Sequence, residues 1–98
     1  MNKYLDSNIF LNAILYNDKK AEKCREILSR MVSQEFTGVT SILTWDEIVY
    51  VAIKNLGREI GVAEGNKFLK FPNLNLVDVN KNVIRKSQML LEKYQSTP

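Results

Sequence analysis

Histidine is absent from this chain, and cysteine occurs once, at Cys24. Without histidine the usual general base is missing, and with it every Ser-His or Cys-His arrangement for nucleophilic catalysis. The same lack argues against a zinc site. A lone cysteine closes no internal disulfide, and Cys24, set among apolar residues at helical spacing, reads as a small core hydrophobe. The four glycines form no Gly-rich loop with Lys-Ser or Lys-Thr, which excludes a P-loop. No apolar run approaches the length of a membrane span, and Lys3 and Asp6 interrupt the N-terminus before a signal-peptide core could form. The expectation is a cytoplasmic protein with no membrane partner. Any enzymatic chemistry falls to carboxylates, lysines and a hard metal ion.

What is present suits one globular domain. The 98 residues are 45% hydrophobic and 26% charged, an ordinary balance for a packed fold. A net charge of +3 permits a polyanionic partner without requiring one. Lys3-Tyr4-Leu5-Asp6 reads as a short buried strand that ends on a carboxylate and turns into a helix over 8–16. Asn17-Asp18 breaks and caps. From Lys19 to Gln34, Ala21, Cys24, Ile27, Leu28, Met31 and Val32 keep the rhythm of an amphipathic helix. Its other face carries Lys20, Lys23, Arg25 and Arg30 among Glu22 and Glu26, the pattern of a solvated face.

Glu35 to Val39 fits a second strand, and Thr40-Ser41 offers a cap for a helix over 42–55 with Ile48, Val51, Ala52 and Ile53 on or near its buried side. Gly57 ends it. A helix over 58–70 repeats glycine at Gly57, Gly61 and Gly65, a spacing that suits close helix–helix contact. Phe71-Pro72-Asn73 turns into a third strand over 74–77. Asp78 or Asn80 then caps a last helix containing Val83, Ser87, Leu90 and Tyr94, before a terminal loop. Strands alternating with helices predict a parallel sheet with right-handed crossovers. Three strands make a narrow sheet with one edge uncovered.

Two stretches carry candidate chemistry. In open parallel α/β sheets, ligands sit beyond the carboxyl ends of the strands, and Asp6 stands at that edge, beside the positive end of a helix. Its other reading is a plain helix cap, shared with Ser7. Thr40-Ser41-Ile42-Leu43-Thr44-Trp45-Asp46-Glu47 begins near the same edge, and Glu47 can approach Asp6 if its turn faces the crevice. Two carboxylates about 4 Å apart repel by roughly 4 kcal/mol at an effective dielectric near 20. Such a pair calls for a shared proton or a bridging divalent cation. With oxygen ligands and no histidine, Mg2+ or Mn2+ is the sensible cation. Asp46 points about 100° away from Glu47 around the helix and reads as an exposed residue. Trp45 reads as a packing residue.

Tyr4-Leu5-Asp6-Ser7-Asn8-Ile9-Phe10-Leu11 closely resembles the opening motif of the PIN-domain family, and 40–47 resembles its second motif. The run from Leu74 to Tyr94 is similar to the family's third strand and following helix, so the resemblance covers the whole chain. It implies a three-layer α/β/α fold around a parallel sheet. It implies that Asp6 and Glu47 are acidic metal ligands and catalytic residues, with Ser7 supporting them. It also implies a Mg2+- or Mn2+-dependent endoribonuclease, of the kind found in VapC-like toxins of prokaryotic toxin–antitoxin pairs.

The expected partners are single-stranded RNA, an antitoxin protein and a second copy of the chain in a homodimer or higher oligomer. Lys81, Arg85 and Lys86 are candidates for RNA-backbone contacts. The family pattern continues into a helix with a third acidic residue and further strands. Residues 1–98 therefore read as the N-terminal portion of one such domain, lacking its C-terminal strands.

Two other classes stand beside this reading. A truncated, catalytically inactive piece would act only by self-association or antitoxin binding, through exposed sheet edges and helix faces. A phosphotransferase of the haloacid-dehalogenase type also places aspartate after the first strand. It needs a second aspartate two residues later, where this chain has Asn8, so it is set aside.

Overall fold

The computed structural model describes residues 1–78 and Met89. Within them the order is β1 (Asn2–Tyr4), α1 (Ser7–Leu15), α2 (Lys19–Val32), β2 (Thr37–Ser41), α3 (Ile42–Leu56), α4 (Arg58–Leu69) and β3 (Leu74–Val77). The three strands are parallel in the order β1-β2-β3, with Tyr4 opposite Val39 and Val39 opposite Asn75. This is the mixed α/β fold with a parallel sheet that the alternation of strands and helices predicts. The last helix and terminal loop expected from the sequence, and the cap at Asn80, lie outside the described residues.

Local signals set the boundaries. Asp18 caps α2, its Oδ1 accepting from the Ala21 amide at 2.8 Å. Ser41 caps α3, accepting from the Leu43 amide at 3.0 Å, while its neighbour Thr40 turns inward and is fully buried. Gly57 ends α3 at φ 93°, on the positive side that glycine adopts without strain.

The second strand begins two residues later than expected. Gln34 takes φ 68°, and the Gln34 and Glu35 amides donate back to the Met31 and Arg30 carbonyls. Glu35 therefore closes α2 instead of opening β2, and α2 itself ends at Val32, two residues before the expected Gln34. Asn73, also at positive φ, donates its side-chain amide to the Met31 carbonyl at 3.0 Å and ties the end of α2 to the turn before β3.

Among the described residues the helices lie on one side of the sheet, making two layers of the three that the resemblance implies. Both crossovers step in the same direction, from β1 to β2 to β3, and right-handed crossovers of that kind fall on the same face. Burial alternates accordingly: Leu5, Gly38 and Thr40 are buried, whereas Tyr4, Asn75 and Val77 on the other face are exposed. One cluster joins Leu5, Phe10, Leu28, Met31, Phe36, Ile48 and Phe68, with Leu74 and Leu76 packed against it. The expectation of a buried first strand is corrected here. Asn2–Tyr4 is an exposed edge strand, and Leu5 just after it is the residue that enters the core.

Glycine makes two close approaches possible. A Cβ at Gly61 would lie 2.8 Å from the Ile53 backbone nitrogen, and one at Gly65 would meet Val49 Cγ2 at 2.7 Å and Trp45 Nε1 at 3.2 Å. Gly61 and Gly65 thus bring α4 against α3, as their spacing predicts. Gly57 has open space around it and serves only the turn. Trp45 is a packing residue, half-buried against the core. Cys24 is buried as a core hydrophobe, and Asp46 is exposed. On α3, Ile48 and Ala52 are buried, with Val51 and Ile53 half-buried beside them.

Candidate metal centre

Asp6 and Glu47 reach the same place. Together with Tyr4, Ser7, Ser41, Leu43 and Thr44 they line a crevice of about 300 Å³ at the carboxyl ends of β1 and β2. Asp6 arrives there because β1 ends just before it and α1 starts just after it. Glu47 arrives because it lies early in α3, on the turn after Leu43. Both carboxylates are exposed. Among the described residues, no lysine or arginine pairs with either.

The cap reading of Asp6 is realised, and the residue also stands at the crevice. Its Oδ1 accepts from the Asn8 amide at 3.4 Å as the N-cap of α1, and from the Ser7 hydroxyl at 3.2 Å. Those bonds leave Oδ2 without a protein donor among the described residues. Ser7 thus orients the carboxylate while the second oxygen stays open to the crevice. The N-termini of α1 and α3 both begin at this site, and their positive ends favour anionic groups there. That serves the carboxylates, and it serves a phosphate equally well.

A buried pair of threonines ties the segment that carries Asp6 to the helix that carries Glu47. Thr40 Oγ1 donates to the Leu5 carbonyl at 2.8 Å and lies 2.9 Å from Thr44 Oγ1. Thr40 has committed its proton to Leu5, so Thr44 donates to Thr40. Leu5 immediately precedes Asp6, and Thr44 is one turn before Glu47 on α3. The chain of hydroxyls therefore couples the backbone at one carboxylate to the helix that carries the other. Thr40→Val is expected to cost about 1–3 kcal/mol in urea unfolding, because the Leu5 carbonyl is left buried without a donor. Thr44→Val should cost nearer 1 kcal/mol, since the bond to Leu5 survives. Equal costs would contradict this order of donation.

The donor set suits a hard divalent cation: two carboxylates with serine hydroxyls nearby, all oxygen, in a crevice roomy enough for retained waters. Magnesium binds through one or two protein carboxylates and keeps several waters. Among the described residues, no group of three or more Asp, Glu, His or Cys is assembled. The site built from them is thus a two-carboxylate one. Asp78 follows β3 and is exposed, and it does not line the crevice. Lys81, Arg85 and Lys86, expected at the RNA backbone, lie outside the described residues.

Sequence reasoning missed two features. Tyr4 lines the crevice, which alternation along β1 could have shown, since Tyr4 and Asp6 fall on the same side of the chain. Arg25, read as part of a solvated face, is half-buried. Its Nη1 donates to the Ala13 and Tyr16 carbonyls at 2.8 and 3.0 Å and closes the C-terminal end of α1.

Comparison with known proteins gives one family. The sequence model described as PIN domain matches residues 3–98. No curated protein sequence and no solved structure gives a significant match. Among the described residues, no helix is long and apolar enough to cross a membrane.

Proposed function

From the premise that the chain belongs to the PIN domain family, we propose that it is a metal-dependent endoribonuclease acting on single-stranded RNA, the toxin of a cytoplasmic prokaryotic toxin–antitoxin pair. The family is one of nucleases, generally dependent on divalent metal and generally acting on RNA. The observation that carries the finer reading is the convergence of Asp6 and Glu47 on one crevice, with no lysine or arginine paired to either among the described residues. A bound Mg2+ or Mn2+ would supply an activated water and offset charge developing on the scissile phosphate.

The chain's own residues do the rest. Asp6 and Glu47 hold the cation. Ser7 fixes the Asp6 carboxylate by donating to Oδ1. Thr40 and Thr44 join the backbone beside Asp6 to the helix that carries Glu47. The N-termini of α1 and α3 favour the phosphate. Lys81, Arg85 and Lys86 contribute backbone contacts in this reading on their sequence pattern alone. Unpaired RNA is the substrate because its backbone and bases can be laid open at a surface crevice.

The partners follow a second feature. An apolar groove of about 560 Å³ opens between α1 and α4, lined by Phe10, Ala13, Ile14, Phe68 and Phe71 among others. It supports an antitoxin segment as a further partner, and the edge of β1, unpaired among the described residues, supports pairing with a second copy.

The test is calorimetry with Mg2+ and Mn2+ on the full chain, together with cleavage of a single-stranded RNA with and without chelator. Saturable binding and chelator-sensitive cleavage are expected. Light scattering should give a mass above that of a monomer, and induction in growing bacteria should arrest growth. Failure to bind either ion would end the catalytic reading. The site of two carboxylates, with no third acid among the described residues, would then favour a catalytically inactive PIN domain that acts by association alone.

A further inference from the structure

We propose that Tyr4 is the platform on which a nucleobase of the bound RNA stacks, next to the phosphate held at Asp6 and Glu47. The inference rests on the ribonuclease reading and deepens it by assigning the crevice a base-binding wall. Tyr4 lies on β1, two residues before Asp6, and strand alternation puts both side chains on the same side of the chain. It lines the crevice together with Asp6, Ser7, Ser41, Leu43, Thr44 and Glu47.

Its ring is unengaged among the described residues. Tyr4 is 67% exposed. Among the described residues its hydroxyl has no hydrogen-bond partner and its ring takes part in no aromatic pair or cation–π contact. Leu43, 57% exposed on the α3 wall of the same crevice, adds apolar surface beside it. A single exposed tyrosine on a protein surface needs no explanation, and Tyr16 is one such, 54% exposed at the far end of α1. Tyr4 differs because it borders paired carboxylates that serve phosphate chemistry. A nucleotide whose phosphate sits there brings its base within reach of the crevice walls. Proteins that take single strands combine a site for the backbone with aromatic side chains for the bases, and such stacking is indifferent to base identity.

The experiment measures binding, apart from cleavage. A fluorescein-labelled single-stranded RNA of eight nucleotides is titrated with the full chain in Ca2+, and anisotropy is read for wild type, Tyr4→Phe, Tyr4→Ala, Tyr4→Leu and Tyr16→Ala. Tyr4→Ala and Tyr4→Leu are expected to bind about 5- to 100-fold more weakly, with Tyr4→Phe and Tyr16→Ala near wild type. Leucine keeps an apolar side chain on the strand, so the proposal stays testable if alanine unfolds β1. A series of RNAs with one abasic position each completes the cycle. One position should weaken wild-type binding by a similar factor and leave Tyr4→Ala unchanged.

Equal affinity of wild type and Tyr4→Leu, or an abasic penalty that persists in Tyr4→Ala, would overturn the stacking role. Wild-type cleavage of the intact RNA would in that case leave the ribonuclease reading in place. Absence of both binding and cleavage by wild type would overturn the two together.

Discussion

Asp6→Asn is expected to abolish measurable Mg2+ and Mn2+ binding and RNA cleavage while leaving the fold intact. Asparagine matches aspartate in shape and is an equally good N-cap, so the bond from the Asn8 amide can persist. What disappears is the negative charge at the crevice. Glu47→Gln should behave alike. Mutating a partner that merely supports a metal ligand costs roughly 10- to 100-fold in affinity, so losing one of two charged ligands should exceed that. Ser7→Ala, which removes the donor to Asp6 Oδ1, should fall within that range.

Stability separates this result from simple misfolding. Neither carboxylate has a protein cation beside it among the described residues, so neutralising one removes no ion pair. The unfolding free energy of Asp6→Asn should stay within about 0.5 kcal/mol of wild type. Added Mg2+ should stabilise wild type, by about 2.7 kcal/mol at 100 times the dissociation constant, and should leave Asp6→Asn unmoved. A variant that still binds the ion as wild type does would remove Asp6 from the site.

Phe10→Ala should be the most damaging core substitution, at about 3–5 kcal/mol in urea unfolding. Phe10 is 1% exposed. Its ring meets Phe68 edge-on at 5.1 Å and Phe71 at 5.9 Å between centroids, linking α1, α4 and the turn before β3. It also borders the 560 Å³ groove, so the space vacated would merge with a cavity that neighbours already fail to fill. The cost therefore belongs at the upper end of the range. Domains of this kind have only about 5–15 kcal/mol in total, and much of the chain would unfold at 37 °C. Phe10→Leu, which keeps most of the volume, should be far milder. A loss below 1 kcal/mol for the alanine variant would show that this three-ring contact does not hold the helices to one another.

Much of this fold was legible in the sequence because its signals are local. Helical periodicity, the caps at Asp18 and Ser41 and the stop at Gly57 each act within about one turn of chain. They set the kind and order of the elements from β1 to β3, with boundaries displaced by one or two residues, most at the end of α2 and at β2, where Glu35 was drawn back toward α2. The lack of histidine narrowed the chemistry to carboxylates and a hard cation before any geometry was known. Asp6 at a strand end and Glu47 in a helix beginning at the same sheet edge were nominated on that ground.

Only the tertiary structure could decide the rest, since it depends on residues far apart in the chain. The bond from Thr40 to the Leu5 carbonyl spans 35 positions, and that from Asn73 to the Met31 carbonyl spans 42. No periodicity reports such pairs. The same holds for Arg25, whose role at the end of α1 is set by packing 12 residues back, and for β1, exposed at the edge of the described sheet. The sequence by itself determined which groups could do chemistry. The sheet order and the packing of α3 against it decided that Asp6, Glu47 and Tyr4 meet in one crevice, because convergence is a property of register and crossover direction, which local patterns do not carry.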